Sequence, residues 1–244
     1  MSYHNTYFFD NSKFNIRESL EIYFKNKYND LSNFENIHKI INNYKNINDF
    51  YNIIPIFGVN DRKSPFVFDF YNFIDTDYTF LYNYLSFIKT YIKPLFPDES
   101  HILVQKTPNI RFHLPNCTNI GKRDTDKFDD IIGVHKDSDF GHNKEELNII
   151  FPITQMYDSN SIYYEEYPNS NENLYNYNSM KLNTNNFNIS SLNSCYHYNK
   201  INKTDITRVS LDFRIIPYSK FYDENKSSVS HNIKFKIGDY YMLI

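Results

Sequence analysis

The chain contains no tryptophan, five glycines and only two cysteines in 244 residues. Cys117 and Cys195 are too few for a disulfide framework or a zinc knuckle, so both are expected as free thiols in a reducing compartment, with Cys195 a small buried group. A basic excess is also missing: the net charge of −3 offers no electrostatic footprint for nucleic acid. No apolar run approaches the roughly 18 residues that would read as a membrane span. The opening MSYHNTYFFDNSK lacks a charged region leading into an apolar core and a cleavage site. Neither a membrane nor a secretion route is therefore expected, and the chain reads as cytoplasmic, or as a resident of the host cytoplasm if its source is a virus. Asn, Lys, Ile and Tyr are abundant instead. These are residues of A/T-rich codons, and the bias reports a genome, such as that of a large virus or an A/T-rich protist, more than a function.

The hydrophobic content of 41% is enough to bury a sizeable core in one soluble domain spanning residues 1–244. Its organisation changes near residue 100. Between residues 12 and 51, Phe14, Ile16, Leu20, Ile22, Tyr23, Leu31, Ile37, Ile40, Ile41 and Ile47 recur at three- and four-residue steps, the pattern of two short amphipathic helices. Strand-like runs follow at Ile53–Phe57 and Phe66–Phe68. Asp75-Thr76-Asp77 then offers helix caps, and Phe80, Leu81, Tyr84, Leu85, Ile88, Tyr91 and Ile92 build one apolar stripe before Pro94. Residues 1–100 thus read as a helical and β support region.

From His101 onward, short β runs alternate with polar turns: 101–105, 110–114, 131–135, 147–153, 161–164, 194–198, 207–216 and 240–244. That number of strands suits a jelly-roll, and the fold class expected is mainly β with a helical layer, α+β. Along 208–215, Arg208, Ser210, Asp212 and Arg214 alternate with Val209, Leu211, Phe213 and Ile215, so one face of that strand is polar and is expected to line a pocket mouth. The Asn-rich stretch 169–191 shows little periodicity and is expected to be an insertion that forms a mobile cover over the pocket.

The residues that carry chemistry are His135-Lys136-Asp137, then His197, then Arg208 with Ser210 two places on. Two histidines and one carboxylate make the three-ligand face of non-haem Fe(II) oxygenases, which leaves the opposite positions free for substrate and O₂. An i, i+2 spacing on or just beyond a strand sends His135 and Asp137 to the same side. His197 precedes the next strand by a turn's length, which would set Arg208 beside the metal pocket. A guanidinium there can pair through two prongs with the distal carboxylate of a dicarboxylic acid, and Ser210 points the same way, an arrangement that fits 2-oxoglutarate.

These residues resemble the Fe(II)/2-oxoglutarate-dependent dioxygenase superfamily, and within it the dioxygenases encoded in streptomycin-type biosynthesis clusters. The matching stretches are Arg111-Phe112-His113-Leu114-Pro115, His135–Thr154, Asn160-Ser161-Ile162 leading to Glu165, and Cys195–Pro217, together about half the chain. The resemblance implies a double-stranded β-helix (cupin-like jelly-roll) over residues 101–244, Fe(II), 2-oxoglutarate and O₂ as cofactor and co-substrates, and oxidation of a small hydroxylated molecule such as a sugar or aminocyclitol derivative. Halogenases of this superfamily lack the carboxylate ligand, so retention of Asp137 implies hydroxylation, desaturation or ring closure. Other residues expected near the pocket are Asn148, as partner of the metal-binding carboxylate or of the substrate, Arg111 and His113 on one strand face, Asp139 and His142 in the turn around Gly141, and Glu165 for a cationic or hydroxylated group. Arg214 shares a face with Arg208 and competes for the co-substrate; the spacing from His197 and the following Ser210 favour Arg208. Two other classes use the same residues: a cupin-like metal-dependent sugar isomerase or epimerase without O₂ chemistry, and a non-catalytic β-sandwich binding module.

Overall fold

The computed structural model describes residues 3–40, 65–116, 131–170, 173–223, 225–228 and 233–244. The expected strand at Ile53–Phe57, the end of the second N-terminal helical run and Cys117 lie outside them. Eleven strands are present among these residues: β1 (His4–Phe8), β2 (Ile102–Gln105), β3 (Asn109–His113), β4 (Ile131–His135), β5 (Leu147–Pro152), β6 (Ile162–Tyr164), β7 (Asn178–Ser179), β8 (Asn186–Ser190), β9 (His197–Lys200), β10 (Arg208–Pro217) and β11 (Tyr241–Leu243). They form a large sheet ordered β1-β8-β5-β10-β2-β11, with β3 also on β10, and a small sheet ordered β4-β9-β6-β7; every strand pair is antiparallel. The helices are α1 (Ile16–Lys27), α2 (Ile37–Ile40), α3 (Pro65–Ile74) and α4 (Tyr78–Phe87), the last running into a π-turn over Ile88–Ile92. Antiparallel β with a helical layer is therefore the architecture. No helix of the described residues is long and apolar enough to cross a membrane.

The strict alternation along β10 explains how the layers stack. Val209, Leu211, Phe213 and Ile215 join Ile149, Phe151, Phe187 and Ile189 in one apolar core with Leu20 and Phe24 of α1, Phe66, Phe70 and Phe73 of α3, and Phe80, Tyr84 and Phe87 of α4. The helices thus cover one face of the large sheet. On its other face, Ile150 packs with Met156, Met180, Leu182 and Leu192 and with Ile162 and Tyr164 of the small sheet. Arg208, Ser210 and Arg214 face this second side and are nonetheless buried. Helix α4 starts where expected: the Asp77 carboxylate accepts from Phe80 N at 2.7 Å and stands as its N-cap.

Two expectations are corrected here. Phe66–Phe68 lies in α3, because Phe66, Phe70 and Phe73 recur at helical steps and are buried while Phe68 is exposed. Within 169–191, Asn186–Ser190 is a fully buried strand between β1 and β5, and Tyr177, Met180 and Leu182 are buried as well, so the C-terminal part of this stretch is packed wall and not a cover. Its polar residues deceived because Asn188 and Ser190 face inward, where Asn188 donates to Thr6 Oγ1 at 3.2 Å.

Phe87 is the hinge of the helix–sheet contact, with its ring centroid 4.9 Å from Phe151, 5.1 Å from Phe187 and 5.2 Å from Phe9. Phe87→Ala is expected to cost about 3–5 kcal/mol of stability through the cavity it leaves. Urea unfolding should show the loss as a lower midpoint at unchanged slope, whereas a change below about 1 kcal/mol would mean that the helices only lean on the sheet.

Candidate metal centre

Strand β4 carries a register shift between Ile132 and His135 against β9, and Gly133 sits in it at φ 68°, a conformation that a side chain would resist. The bulge turns the Gly133 carbonyl onto Nδ1 of His135. Beyond the strand the chain enters a 3-10 turn over Asp137–Phe140, closed by Gly141 at φ 83°. Backbone bonds from Asp137 N to Leu192 O (3.1 Å) and from Ser138 N to Asn193 O (3.2 Å) tie this turn to the segment leading into β9. His135 and His197 are direct partners across β4 and β9. The local chain therefore brings all three groups to one point.

The carboxylate oxygen Oδ1 of Asp137 lies 3.6 Å from Nε2 of His135 and 3.6 Å from Nε2 of His197, and the three candidate ligand atoms fall within 4.8 Å of one another. Each histidine donates Nδ1–H to the carbonyl two residues before it, His135 to Gly133 and His197 to Cys195 at 3.2 Å. Both imidazoles consequently turn Nε2 toward Asp137. Two imidazole nitrogens and a carboxylate oxygen facing one another, too far apart for a hydrogen bond, form a group that could hold a cation. Adjacent ligands on a six-coordinate cation with bonds of about 2.1 Å lie roughly 3 Å apart, closer than the 3.6 Å separations here. Burial, and then the neighbouring His135, lower the His197 pKa to about 4, which keeps it neutral at physiological pH.

Asp137 is buried, and burial alone would raise its pKa; the Arg214 guanidinium together with His135, His197 and His142 outweighs that and holds the carboxyl well below the usual range. Its second oxygen, Oδ2, accepts from Arg214 NH2 at 2.5 Å and from Asn148 Nδ2 at 2.6 Å. Arg214 and Asn148 are cross-strand partners of β10 and β5. The other arm of Arg214 donates to Asp212 at 2.8 Å, and Arg111 NH2 stands 3.7 Å from the second oxygen of Asp212.

Arg208 differs from both of these arginines. It is fully buried, and Nε and both terminal nitrogens have no hydrogen-bond partner among the described residues. Burial, then the nearby Arg111, push its pKa down to about 9, still high enough to leave it charged at neutral pH. Asp212 acts electrostatically on both Arg208 and His197. Ser210, buried, follows Arg208 on the same face and pairs with Arg111 across β10 and β3.

The remaining expected residues fall into different surroundings. His113 is buried directly opposite Arg208, with Nδ1 3.3 Å from Asn160 O. His142 pairs with the buried Glu146 at 2.7 Å, and Glu146 also accepts from the Tyr241 hydroxyl. Asp139 is exposed and accepts from Lys136 N at 3.0 Å, a turn cap. Glu165 accepts from Tyr196 N at 2.7 Å and is committed to the backbone beside His197. Cys195 is buried and lies ahead of β9, not in it; burial raises its thiol pKa to about 11. Sequence reasoning gave no role to Asp212 or Glu146. The alternation along β10 already contained Asp212, and Glu146 stands four residues from its partner His142.

No family model matches the chain. It is 28% identical over 182 residues to the streptomycin biosynthesis protein StrG of Streptomyces griseus, an alignment that covers 74% of this chain and 77% of that one. Among solved structures, a nickel complex of ThoJ, described as a non-heme monooxygenase, superposes with a TM-score of 0.39 at 11% identity, covering 82% of this chain and 69% of that chain. HygX from Streptomyces hygroscopicus, with nickel and 2-oxoglutarate bound, gives a TM-score of 0.32 at 8% identity, covering 65% and 76%. Scores this low carry no argument about fold or reaction.

Proposed function

We propose that the protein is an Fe(II)- and 2-oxoglutarate-dependent oxygenase of a small hydroxylated metabolite, built on a double-stranded β-helix. The observation that carries the reading is the meeting of three candidate ligand atoms on one side of a sheet whose facing strand buries an unpartnered guanidinium. His135, His197 and Asp137 would hold the metal. Arg208, with Ser210 beside it, would take the distal carboxylate of the co-substrate, because a buried cation with free donors is stabilised by a forked carboxylate partner. When bound, the metal and 2-oxoglutarate would supply, with O₂ as the oxidant, oxidative decarboxylation to succinate and CO₂ coupled to oxidation of the substrate. The protein's part is to fix both imidazole tautomers, keep Asp137 ionised and set the substrate on the free side of the site. Similarity to a streptomycin biosynthesis protein supports a sugar or aminocyclitol derivative as the substrate class.

The test is turnover of 2-oxoglutarate by the purified protein supplied with Fe(II) and O₂ and challenged with pools of sugars, aminocyclitols, peptides and nucleotides. Succinate equal in amount to oxidised substrate is expected from one of the first two pools. Isomerised sugar without succinate would instead favour an isomerase, and metal binding with no turnover of any pool a binding module.

A further inference from the structure

The geometry points to Arg214, assisted by Asn148, as the positioning residue that keeps Asp137 a one-oxygen ligand; this rests on the reading of His135, Asp137 and His197 as a metal centre. A carboxylate can offer a cation one oxygen or two. Here Oδ2 is taken by two charge-assisted bonds, from Arg214 at 2.5 Å and Asn148 at 2.6 Å, while Oδ1 alone faces the two histidines. Turning Oδ2 toward a metal would break both bonds. The two donors stand opposite each other on paired strands, so the backbone of the large sheet, and not the 3-10 turn that carries Asp137, sets the angle of the carboxylate.

The clamp has features of a site more than of a fold element. Arg214 Nε and Asn148 Oδ1 are buried without a partner among the described residues, a cost in stability that a purely structural pair would not retain. A guanidinium this close to a ligand would also repel an incoming metal. Asp212, accepting from its other arm at 2.8 Å, offsets that charge and leaves orientation as the net effect. One oxygen from Asp137 keeps the protein's share of the metal at three ligand atoms, so the remaining positions stay free for co-substrate and O₂.

Co(II) is the probe. Calorimetric titration and ligand-field absorption would be recorded for the wild-type protein, Arg214→Met, Arg214→Lys and Asn148→Ala, with circular dichroism checking each fold. Arg214→Met is expected to weaken Co(II) binding about 10–100-fold and to change the band pattern as the second oxygen becomes free to ligate. Lysine should restore part of the affinity, since an ammonium reaches Asp137 but cannot hold Asp212 at the same time. Asn148→Ala should move both readouts in the same direction by less. Affinity equal to or above wild type with an unchanged spectrum, in Arg214→Met or, if that variant does not fold, in Asn148→Ala, overturns the proposal while leaving the metal centre standing. A wild-type protein that binds no Co(II) removes the metal centre and the clamp with it.

Discussion

Arg208→Met is expected to make the ligand-free protein more stable and, in the same step, to abolish its response to 2-oxoglutarate. A buried guanidinium without partners is a net cost to folding, and replacing buried charges by an apolar side chain of similar volume commonly gains about 1–4 kcal/mol. The sign of the pH dependence agrees. Because the folded-state pKa of Arg208 is lowered, to about 9, the destabilisation is present in full below that pH and is relieved only above it, so the gain from methionine spans the neutral range. If Arg208 meets the co-substrate's distal carboxylate, its loss should raise the 2-oxoglutarate concentration for half-maximal turnover at least about 30-fold, the equivalent of 2 kcal/mol or more for a truncated buried charge pair. Thermal unfolding with and without 2-oxoglutarate reads both effects. A destabilised variant that still responds to the co-substrate would mean that Arg208 is structural and that the carboxylate is bound elsewhere.

Asp137→Ala carries the second large effect, on metal and stability together. It removes one of the three proposed ligands and strands Arg214 and Asn148 inside the protein, so metal binding should vanish and the metal-free protein should lose about 3 kcal/mol. The double variant Asp137→Ala with Arg214→Met should recover much of the stability and none of the metal, the non-additivity expected of two groups in contact. The acid limb of the stability profile follows too. Since Arg214 holds the Asp137 carboxyl below its ordinary value of 3.8, the pair's contribution is present above that pH and lost as the pH falls beneath it. Asp137→Ala should lack this loss. Equal stability of the single and double variants across the acid range would remove the pairing from the account.

The meeting of His135, Asp137 and His197 was legible because their spacing is local: the i, i+2 step of His135 and Asp137 survives even though Asp137 lies past the strand, and His197 needs only to pair with β4. Arg208 and Arg214 point to the same face of β10, and the sequence ranked Arg208 first for the co-substrate but gave Arg214 no role of its own. Only the register of β10 with β5, which brings Arg214 to Asn148, decides which of them holds Asp137. Strand β8 was missed although Asn186-Phe187-Asn188-Ile189-Ser190 alternates, because both of its faces are buried and the polar one reads as surface. Helix α3 was mistaken for a strand because Phe66-Val67-Phe68 has β composition, and the spacing of Phe66, Phe70 and Phe73 overrode it. The contact of Glu146 with His142 is an i, i+4 step, yet its Tyr241 partner comes from the far end of the chain and left no local trace.

The most direct test of the central claim is anomalous diffraction from crystals grown with Co(II) and 2-oxoglutarate. The account predicts one strong cobalt peak about 2.1 Å from Nε2 of His135, Nε2 of His197 and Oδ1 of Asp137, with the distal carboxylate of 2-oxoglutarate forked onto Arg208. Cobalt bound away from these three atoms, or a co-substrate carboxylate resting on Arg214 or Arg111 with Arg208 still unpartnered, would contradict it.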